Sequence, residues 1–211
     1  MRMRKKPNLA VRMERCSHII TANPTVYRGH WLEVFGYSEL RIELGCGKGR
    51  FTVDVALSEP DVLFVALEKN ASVMVIALER ALEVGLQNVR FINAFAESLM
   101  EYFMPGEISR FYINFCDPWP SNRHTKRRLT NERFLSLYSQ LLTPEGEVHF
   151  KTDDLQLFEF SLREFKRCGF KILEQTRHLH SSSGRLMTDY ELRFAEQGIP
   201  IYECTTKNTV I

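Results

Sequence analysis

The sequence lacks the paired cysteines that a disulfide framework or a structural zinc site requires. Its five cysteines are scattered, each lies in or beside an apolar run, and none forms a CxxC pair. This pattern indicates reduced, structural thiols in a cytosolic protein. A long uninterrupted apolar run is also missing, so the sequence shows neither a signal peptide nor a membrane span. We therefore expect a soluble, cytoplasmic protein without a metal site.

The sequence also lacks a marked excess of charge of either sign. Lysine and arginine total 28, aspartate and glutamate total 26, and the formal net charge is +2. Any contact with a nucleic acid must therefore come from local clusters, which occur in residues 1–15 and after Pro120. Internal repeats and low-complexity segments are absent, and 211 residues, 44% of them hydrophobic, suffice for one well-filled domain. We predict a basic extension over residues 1–30 and one domain over 31–211.

The order of apolar segments is typical of an α/β protein. From Leu40 onward, short apolar runs alternate with amphipathic stretches, which predicts βα units and a parallel sheet. The pattern predicts five helices. One covers 50–58 and one lies around 190–197. Two begin after caps at Asn70 and Thr130, and one ends at Gly169. Strands are predicted over 40–44, 62–67, 89–92, 111–116, 147–151, 170–174 and 199–205.

Acidic residues follow four of the predicted strands. Glu43 ends the first, Glu68 follows the second, Asp117 follows the fourth and Asp153 follows the fifth. Ligands of open α/β sheets bind at the carboxyl ends of the strands. Four carboxylates along one edge would repel one another unless a cation lay between them. A shared site is therefore a better interpretation than four independent helix caps, although a cap remains a credible role for Asp153.

The loop from Glu43 to Gly49 indicates the ligand of this edge. It reads GxGxG after an acid, and Arg50 stands where a dinucleotide-binding loop has its last glycine. Glu43 would repel a phosphate but suits an ammonium group. Glu68 lies where an acid binds ribose hydroxyls. An adenosine that carries an amino acid and no phosphates fits both acids, and this ligand is S-adenosylmethionine.

A second motif, Asp117-Pro118-Trp119-Pro120, precedes a basic run from Arg123 to Arg128. The two prolines exclude ordinary helix or strand and predict a stiff loop that presents Asp117 beside an aromatic face. Trp119 suits stacking on a base and packing in the core equally well. The loop and its basic neighbour together favour a flat substrate with an anionic backbone.

These motifs resemble those of the bacterial tRNA (guanine-N7)-methyltransferase family. The resemblance rests on 43–49, 117–120, 123–124, 126–129, 150–153 and 188–191, and it extends over about 39–202. It implies the class I methyltransferase fold, a Rossmann-like α/β domain with helices on both faces of a seven-stranded, mostly parallel sheet and an antiparallel last strand. It also implies methyl transfer from S-adenosylmethionine to N7 of a guanine in the tRNA variable loop, by a monomer or homodimer.

The resemblance assigns roles to individual residues. Asp117 would be catalytic and would also contact the cofactor. The other cofactor contacts would be Glu43, Gly45, Gly47, Glu68, Asn93 and Phe95. The substrate would be met by Ser121, Asp153, Thr188 and Glu191, and the RNA by Arg123, His124, Lys126, Arg127 and Arg128. Phe95 departs from the family, which has an acid there for the adenine amino group, and Ser121 stands where the family has lysine.

Two other functions fit the same residues. One is methylation of an exocyclic amine, although such enzymes place two consecutive prolines and an aromatic residue after the fourth strand, and here Trp119 separates the prolines. The other is non-catalytic RNA binding on a decayed fold, which Phe95 and Ser121 favour and the acids at the strand ends oppose.

Guanine N7 has an in-plane lone pair and no proton, so its methylation needs no general base. Asp117 would then mainly orient the reacting groups.

Overall fold

A seven-stranded sheet forms the centre of the protein in a computed structural model that describes residues 8–177, 188, 191, 194 and 197–209. Its order is β3-β2-β1-β4-β5-β7-β6, and β7 runs antiparallel to both of its neighbours. This confirms the predicted Rossmann-like fold with an antiparallel last strand. The strands are β1 (Glu39–Leu44), β2 (Val62–Leu67), β3 (Val89–Ile92), β4 (Ile108–Asn114), β5 (Leu142–Thr152), β6 (Phe170–Thr176) and β7 (Tyr202–Asn208).

Helices pack on both faces of the sheet. Side chains of α3 and α4, together with residues 13–20, form one apolar cluster, and those of α2, α5, α6 and α7 form the other. The helices are α1 (Leu9–Arg15), α2 (Trp31–Phe35), α3 (Arg50–Ser58), α4 (Ala71–Glu83), α5 (Leu99–Tyr102), α6 (Glu132–Leu141) and α7 (Leu155–Arg167).

Burial on both faces explains why β2 reads as a continuous apolar run. Phe64 and Ala66 point into one cluster, whereas Val65 and Leu67 point into the other. A strand covered on both sides needs apolar residues at every position, not at alternate ones. The predicted bounds of β2, β3 and α3 and the predicted cap at Asn70 are confirmed.

Residues from Arg12 to Thr21, ahead of α2, pack on the same core. Arg12 forms a two-pronged ion pair with Glu79 of α4, with contacts of 2.5 and 2.6 Å. Ile19 is 2% exposed and lies in the cluster of α3 and α4. The N–H of Thr21 donates to the carbonyl of Phe91 at 2.8 Å, next to a parallel bridge between Ile20 and Phe91. This part of the predicted extension therefore follows the edge of the sheet at β3.

Several predicted boundaries differ from the structure. Asn131, not Thr130, caps α6, because the buried hydroxyl of Thr130 bonds to Ser161 at 2.7 Å. Strand β4 ends at Asn114, since Phe115 takes a left-handed backbone with φ of 51° that a strand cannot continue through. Strand β5 begins at Leu142 rather than 147, and its pairing with β4 shifts register between the pairs Ile108/Leu142 and Arg110/Glu147, so the extra residues lie in β5.

The end of the chain is described only in part. The last strand begins at Tyr202 instead of 199. The predicted loop over 180–184 lies outside the described residues, and so does most of the predicted helix over 190–197. All five cysteines are free thiols. Within the described ranges, no helix is long and apolar enough to cross a bilayer, and no group of three His, Cys, Asp or Glu side chains could hold a metal ion.

Candidate active site

The parallel strands β2, β1, β4 and β5 are neighbours, so their carboxyl ends meet at one edge. The structure brings the four predicted acids to this edge but exposes them very differently. Glu43 is 5% exposed, and Glu68 is half-buried. Asp117 and Asp153 are exposed. The edge therefore has an interior acid on the side of β1 and two surface acids on the side of β4 and β5.

Glu43 is held by side chains of two elements, α3 and β4. Thr52 of α3 donates its hydroxyl to Oε2, and Asn114 of β4 donates Nδ2–H to Oε1 at 3.2 Å. Burial raises the pKa of Glu43 to about 7, and the two hydrogen bonds and the positive charge of Lys151 offset only part of this effect. Glu43 therefore changes its protonation state near neutral pH.

The glycine loop after β1 leaves open space above it. Gly45, Gly47 and Gly49 have φ of 78°, 58° and 77°, a left-handed conformation that favours glycine. A Cβ on Gly49 would lie 2.4 Å from Cβ of Ala77, so this glycine lets α3 begin against α4. A Cβ on Gly45 would meet nothing within 4 Å, and one on Gly47 only a carbonyl oxygen at 4.0 Å. The first two glycines can therefore border a ligand.

Glu68 connects the loops that follow three strands. Its carboxylate accepts the N–H of Gly47 at 3.2 Å and the N–H of Asn70 at 2.9 Å. Its backbone carbonyl accepts Nδ2–H of Asn93 at 2.6 Å. Phe95, two residues further on, is 61% exposed. A carboxylate has about four lone-pair positions, so Glu68 keeps acceptor capacity for hydroxyl groups of a ligand.

The Asp117 loop contains two non-glycine residues with left-handed backbones. Phe115 has φ of 51° and Trp119 has φ of 44°, conformations that cost about 1–3 kcal/mol each. The N–H of Phe115 donates to the carbonyl of Lys151 at 2.9 Å. The side chain of Asp117 is 64% exposed, and its Oδ2 lies 3.2 Å from Nζ of Lys69. The loop thus presents its acid outward, beside the loop that follows β2.

Arg128 holds this loop from inside, which corrects its predicted place among the RNA contacts. Its guanidinium donates to the carbonyls of Pro118 and Trp119, both at 3.0 Å, and lies 4.4 Å from the ring centre of Phe160. Arg128 is 7% exposed. Because its donors meet backbone carbonyls in the interior, it braces the strained loop and is not available to a phosphate.

The rest of the basic run forms a 3₁₀ helix, Asn122–Arg127. Arg123, Lys126 and Arg127 are exposed, while Ser121 and His124 are half-buried. Trp119 is half-buried as well. Its ring has the Arg127 guanidinium 4.8 Å from the centroid and meets the His124 ring edge-on at 5.6 Å. Trp119 therefore belongs to this surface and not to the main core.

Besides the half-buried Ser121, the predicted substrate contacts comprise one exposed residue, Asp153, and two buried ones. Asp154 caps α7 by accepting the N–H of Leu157 at 2.7 Å, so the alternative role of Asp153 as that cap is wrong. Thr188 and Glu191 are instead buried, at 7% and 1% exposure. The N–H of Thr188 donates to Oε2 of Glu191 at 2.6 Å, and the N–H of Glu191 donates to Oγ1 of Thr188 at 3.0 Å. This reciprocal pair is a capping box.

Lys151 at the end of β5 was not predicted to belong to the site. Its side chain is 7% exposed, and its Nζ lies 2.9 Å from Oε1 of Glu191. The T-x-x-E spacing of a capping box was visible in the sequence. The pairing of Glu191 with Lys151 could not be predicted, because Lys151 lies on a strand 40 residues earlier.

Residues 38–204 match the model of the Methyltransf_4 family, described as "Putative methyltransferase". The chain belongs to this family. It is the family of tRNA (guanine-N7)-methyltransferases, so the membership predicted from the motifs is confirmed. The protein is a methyltransferase that uses S-adenosylmethionine, as predicted. The open glycine loop and the acceptor capacity of Glu68 fit this cofactor.

Solved structures with the same fold are methyltransferases of low sequence identity. "Crystal Structure of 16S rRNA Methyltranferase KamB" has a TM-score of 0.66 at 14% identity, covering 86% of this chain and 94% of that one. "Structure of an Antibiotic Related Methyltransferase" has a TM-score of 0.64 at 18% identity, covering 86% and 94%. A 16S rRNA (adenine(1408)-N(1))-methyltransferase from Catenulisporales acidiphilia has a TM-score of 0.64 at 12% identity, covering 90% and 93%.

Proposed function

We propose that this protein transfers the methyl group of S-adenosylmethionine to N7 of a guanine in the variable loop of tRNA. The observation that carries the proposal is the position of Asp117. Its exposed carboxylate lies beside Lys69, which follows the cofactor-side acid Glu68, and its loop leads directly into the basic 3₁₀ helix Asn122–Arg127. A residue in this position can meet a methyl donor on one side and a nucleobase on the other.

The cofactor is assigned to the side of the edge that contains β1 and β2. S-adenosylmethionine supplies an electrophilic methyl group on a sulfonium centre. Gly45 and Gly47 leave room for its amino-acid part, near the acid Glu43. Glu68 is placed to accept from the ribose hydroxyls, as acids after the second strand do in related folds. Beyond Asn93, the exposed ring of Phe95 offers an apolar face to the adenine.

Asp117 is assigned an orienting role because guanine N7 has no proton to remove. At about 4 Å and an effective dielectric constant of about 20, its attraction to a cation amounts to about 4 kcal/mol. The cofactor is already cationic before transfer, so only the change in this attraction lowers the barrier. Holding the base and the methyl donor in line contributes more, since correct orientation removes much of the entropic cost of reaction.

Arg123, Lys126 and Arg127 are assigned to RNA phosphates. Their exposed charges suit a contact that supplies affinity without reading sequence. Two of the structures that share the fold are, by title, 16S rRNA methyltransferases, which fits an RNA substrate. His124 and Ser121 lie on the same surface. The target base would be unstacked in a loop, where side chains can reach its edge.

Asp153 is assigned to the edge of the guanine. It is exposed and does not cap a helix, so its carboxylate can accept from N1–H and from the 2-amino group. Adenine has neither donor in that arrangement, and its N1 would face the carboxylate as a second acceptor. A carboxylate at this position therefore selects guanine against adenine.

Transfer of a tritiated methyl group to unmodified tRNA tests the proposal, with the product nucleoside identified by mass spectrometry. N7-methylguanosine from the variable loop is the expected product. A methyl group on an exocyclic amine would support the rival methyltransferase instead. Binding of tRNA without turnover would favour a non-catalytic RNA-binding protein.

A further inference from the structure

Lys151 lies where separate parts of the candidate site meet. Its backbone carbonyl accepts the N–H of Phe115, the residue at which the chain leaves β4 for the Asp117 loop. Its ammonium group lies 2.9 Å from Oε1 of Glu191 and 3.7 Å from Oε1 of Glu203 on β7. One buried residue therefore contacts both the Asp117 loop and the segment that contains Glu191.

The contacts of Glu191 fit an internal role better than a direct contact with substrate. One carboxylate oxygen accepts from Lys151 and the other from the N–H of Thr188, and the residue is 1% exposed. A carboxylate buried this completely needs such partners, because an unpaired buried charge is strongly destabilising. A guanine would have to displace those partners or approach a carboxylate that lies under the surface.

We propose that Lys151 and Glu191 are positioning residues, and that Glu191 acts through Lys151 rather than by touching the base. Their buried ion pair holds the Thr188–Glu191 cap against the end of β5. Phe194 then follows one turn later, and its ring centre lies 5.9 Å from that of Phe115. The pair thereby fixes the wall of the site next to the Asp117 loop. This inference rests on the proposed function for the identity of the base.

Two single variants and their combination separate positioning from direct contact. Lys151→Met removes the ammonium, and Glu191→Gln keeps an acceptor for the N–H of Thr188, since glutamine also serves in a capping box. We expect each single variant to lower kcat/KM for methyl transfer by about tenfold or more. Lys151→Met leaves the buried Glu191 carboxylate without its cation, and Glu191→Gln leaves Lys151 with its longer contact to Glu203. Because the two residues act through one ion pair, their losses should not add, and the double variant should be no slower than the slower single one.

The rates are measured on the RNA that the wild-type protein methylates, at a temperature at which circular dichroism shows every variant folded. Affinity for S-adenosylmethionine is measured by calorimetry, because Lys151 also favours the charged form of Glu43. A double variant in which the two losses add would mean that Glu191 acts independently of Lys151, as a direct contact with the substrate would, and would overturn the inference. Wild-type kcat/KM in all three variants, with only the melting temperature changed, would show that the pair only stabilises the fold. That result would also overturn the inference.

Hydrogen–deuterium exchange gives a readout that is independent of the RNA and of the methylated atom. In Lys151→Met, peptides from 188–197 should exchange faster, while those of β1 and β2 should not. Unchanged exchange over 188–197 would refute the anchoring role. A product other than N7-methylguanosine from the wild type would refute the proposed function alone, and it would leave the comparison of variants intact.

Discussion

Glu43 is an acid that the fold buries at the edge assigned to the methyl donor. Burial raises its pKa from the usual 4.5 to about 7. Between these two values the folded protein keeps a proton that the unfolded chain has lost. The contribution of this group to stability is therefore unaffected at low pH and falls as the pH rises from about 5 to 7.

Glu43→Gln should remove that pH dependence. At pH 8 we expect the variant to exceed the wild type in unfolding free energy by about 3 kcal/mol, the energy that corresponds to the raised pKa. At pH 4 the two proteins should be nearly equal, because the acid is then protonated in both states. Urea unfolding at the two pH values measures this difference. An equal gain at both values would point to altered hydrogen bonding with Thr52 and Asn114 instead of charge.

Asp117→Asn should abolish most methyl transfer without unfolding the protein. The carboxylate is 64% exposed and its pair with Lys69 is partly solvated, so the loss of stability should stay below about 1 kcal/mol. Loss of the orienting charge should lower kcat by roughly 100-fold. Single-turnover transfer and thermal melting are the measurements, and Lys69→Gln is the matched control for the ion pair. Near-normal turnover in Asp117→Asn would exclude the proposed catalytic role.

Phe95→Asp tests the one departure from the family on the cofactor side. The ring is 61% exposed, so its replacement disturbs little packing. An acid at this position can accept from the adenine amino group, and we expect tighter binding of S-adenosylmethionine. Calorimetry on Phe95→Asp and on Phe95→Ala separates the new hydrogen bond from loss of the ring. Weaker binding in both variants would show that the apolar face of Phe95 supports the adenine.

The 3₁₀ helix Asn122–Arg127 and the residue after it divide one basic run into two functions. Lys126 and Arg127 are exposed, whereas Arg128 is buried against the loop carbonyls. Lys126→Gln/Arg127→Gln should weaken tRNA binding and reduce the slope of log K against log salt by about 2, about one for each lost phosphate contact. Arg128→Gln should lower the melting temperature and leave the slope unchanged. Filter binding at several salt concentrations compares them, and an unchanged slope in the first variant would contradict its RNA contact.

Element bounds that follow from the local sequence could be predicted, and bounds that depend on distant partners could not. The bounds of β2 and α3 follow from local apolar pattern and glycine position. The end of β4 depends on the left-handed Phe115, which the carbonyl of Lys151 holds from the next strand. Asn131 caps α6 in place of the predicted Thr130, because Ser161 of α7 forms a hydrogen bond with the threonine hydroxyl.

The topology of the sheet explains why the strand-end acids could be predicted as a group. Parallel neighbours bring their carboxyl ends together whatever their side chains do. The burial of individual charged side chains could not be predicted in this way. Arg128 and Glu191 each look like a surface charge in sequence, yet each meets its partner inside the fold. The spacing of charged residues predicts where they gather, and only packing decides which of them face solvent.

Contacts of residues 12–21 indicate that this segment belongs to the methyltransferase core and is not an appendage to it. Ile19 is 2% exposed in the cluster of α3 and α4, next to the bridge between Ile20 and Phe91. Ile19→Ala should therefore cost about 2–5 kcal/mol of unfolding free energy, as for other large-to-small changes in a core. Val11→Ala, at a side chain that is 50% exposed, is the control and should change stability by less than about 0.5 kcal/mol. Urea unfolding that remains a single transition, with its midpoint lowered only in Ile19→Ala, would place this segment within the cooperative unit. Equal midpoints in the two variants would show that the segment lies outside the cooperative unit.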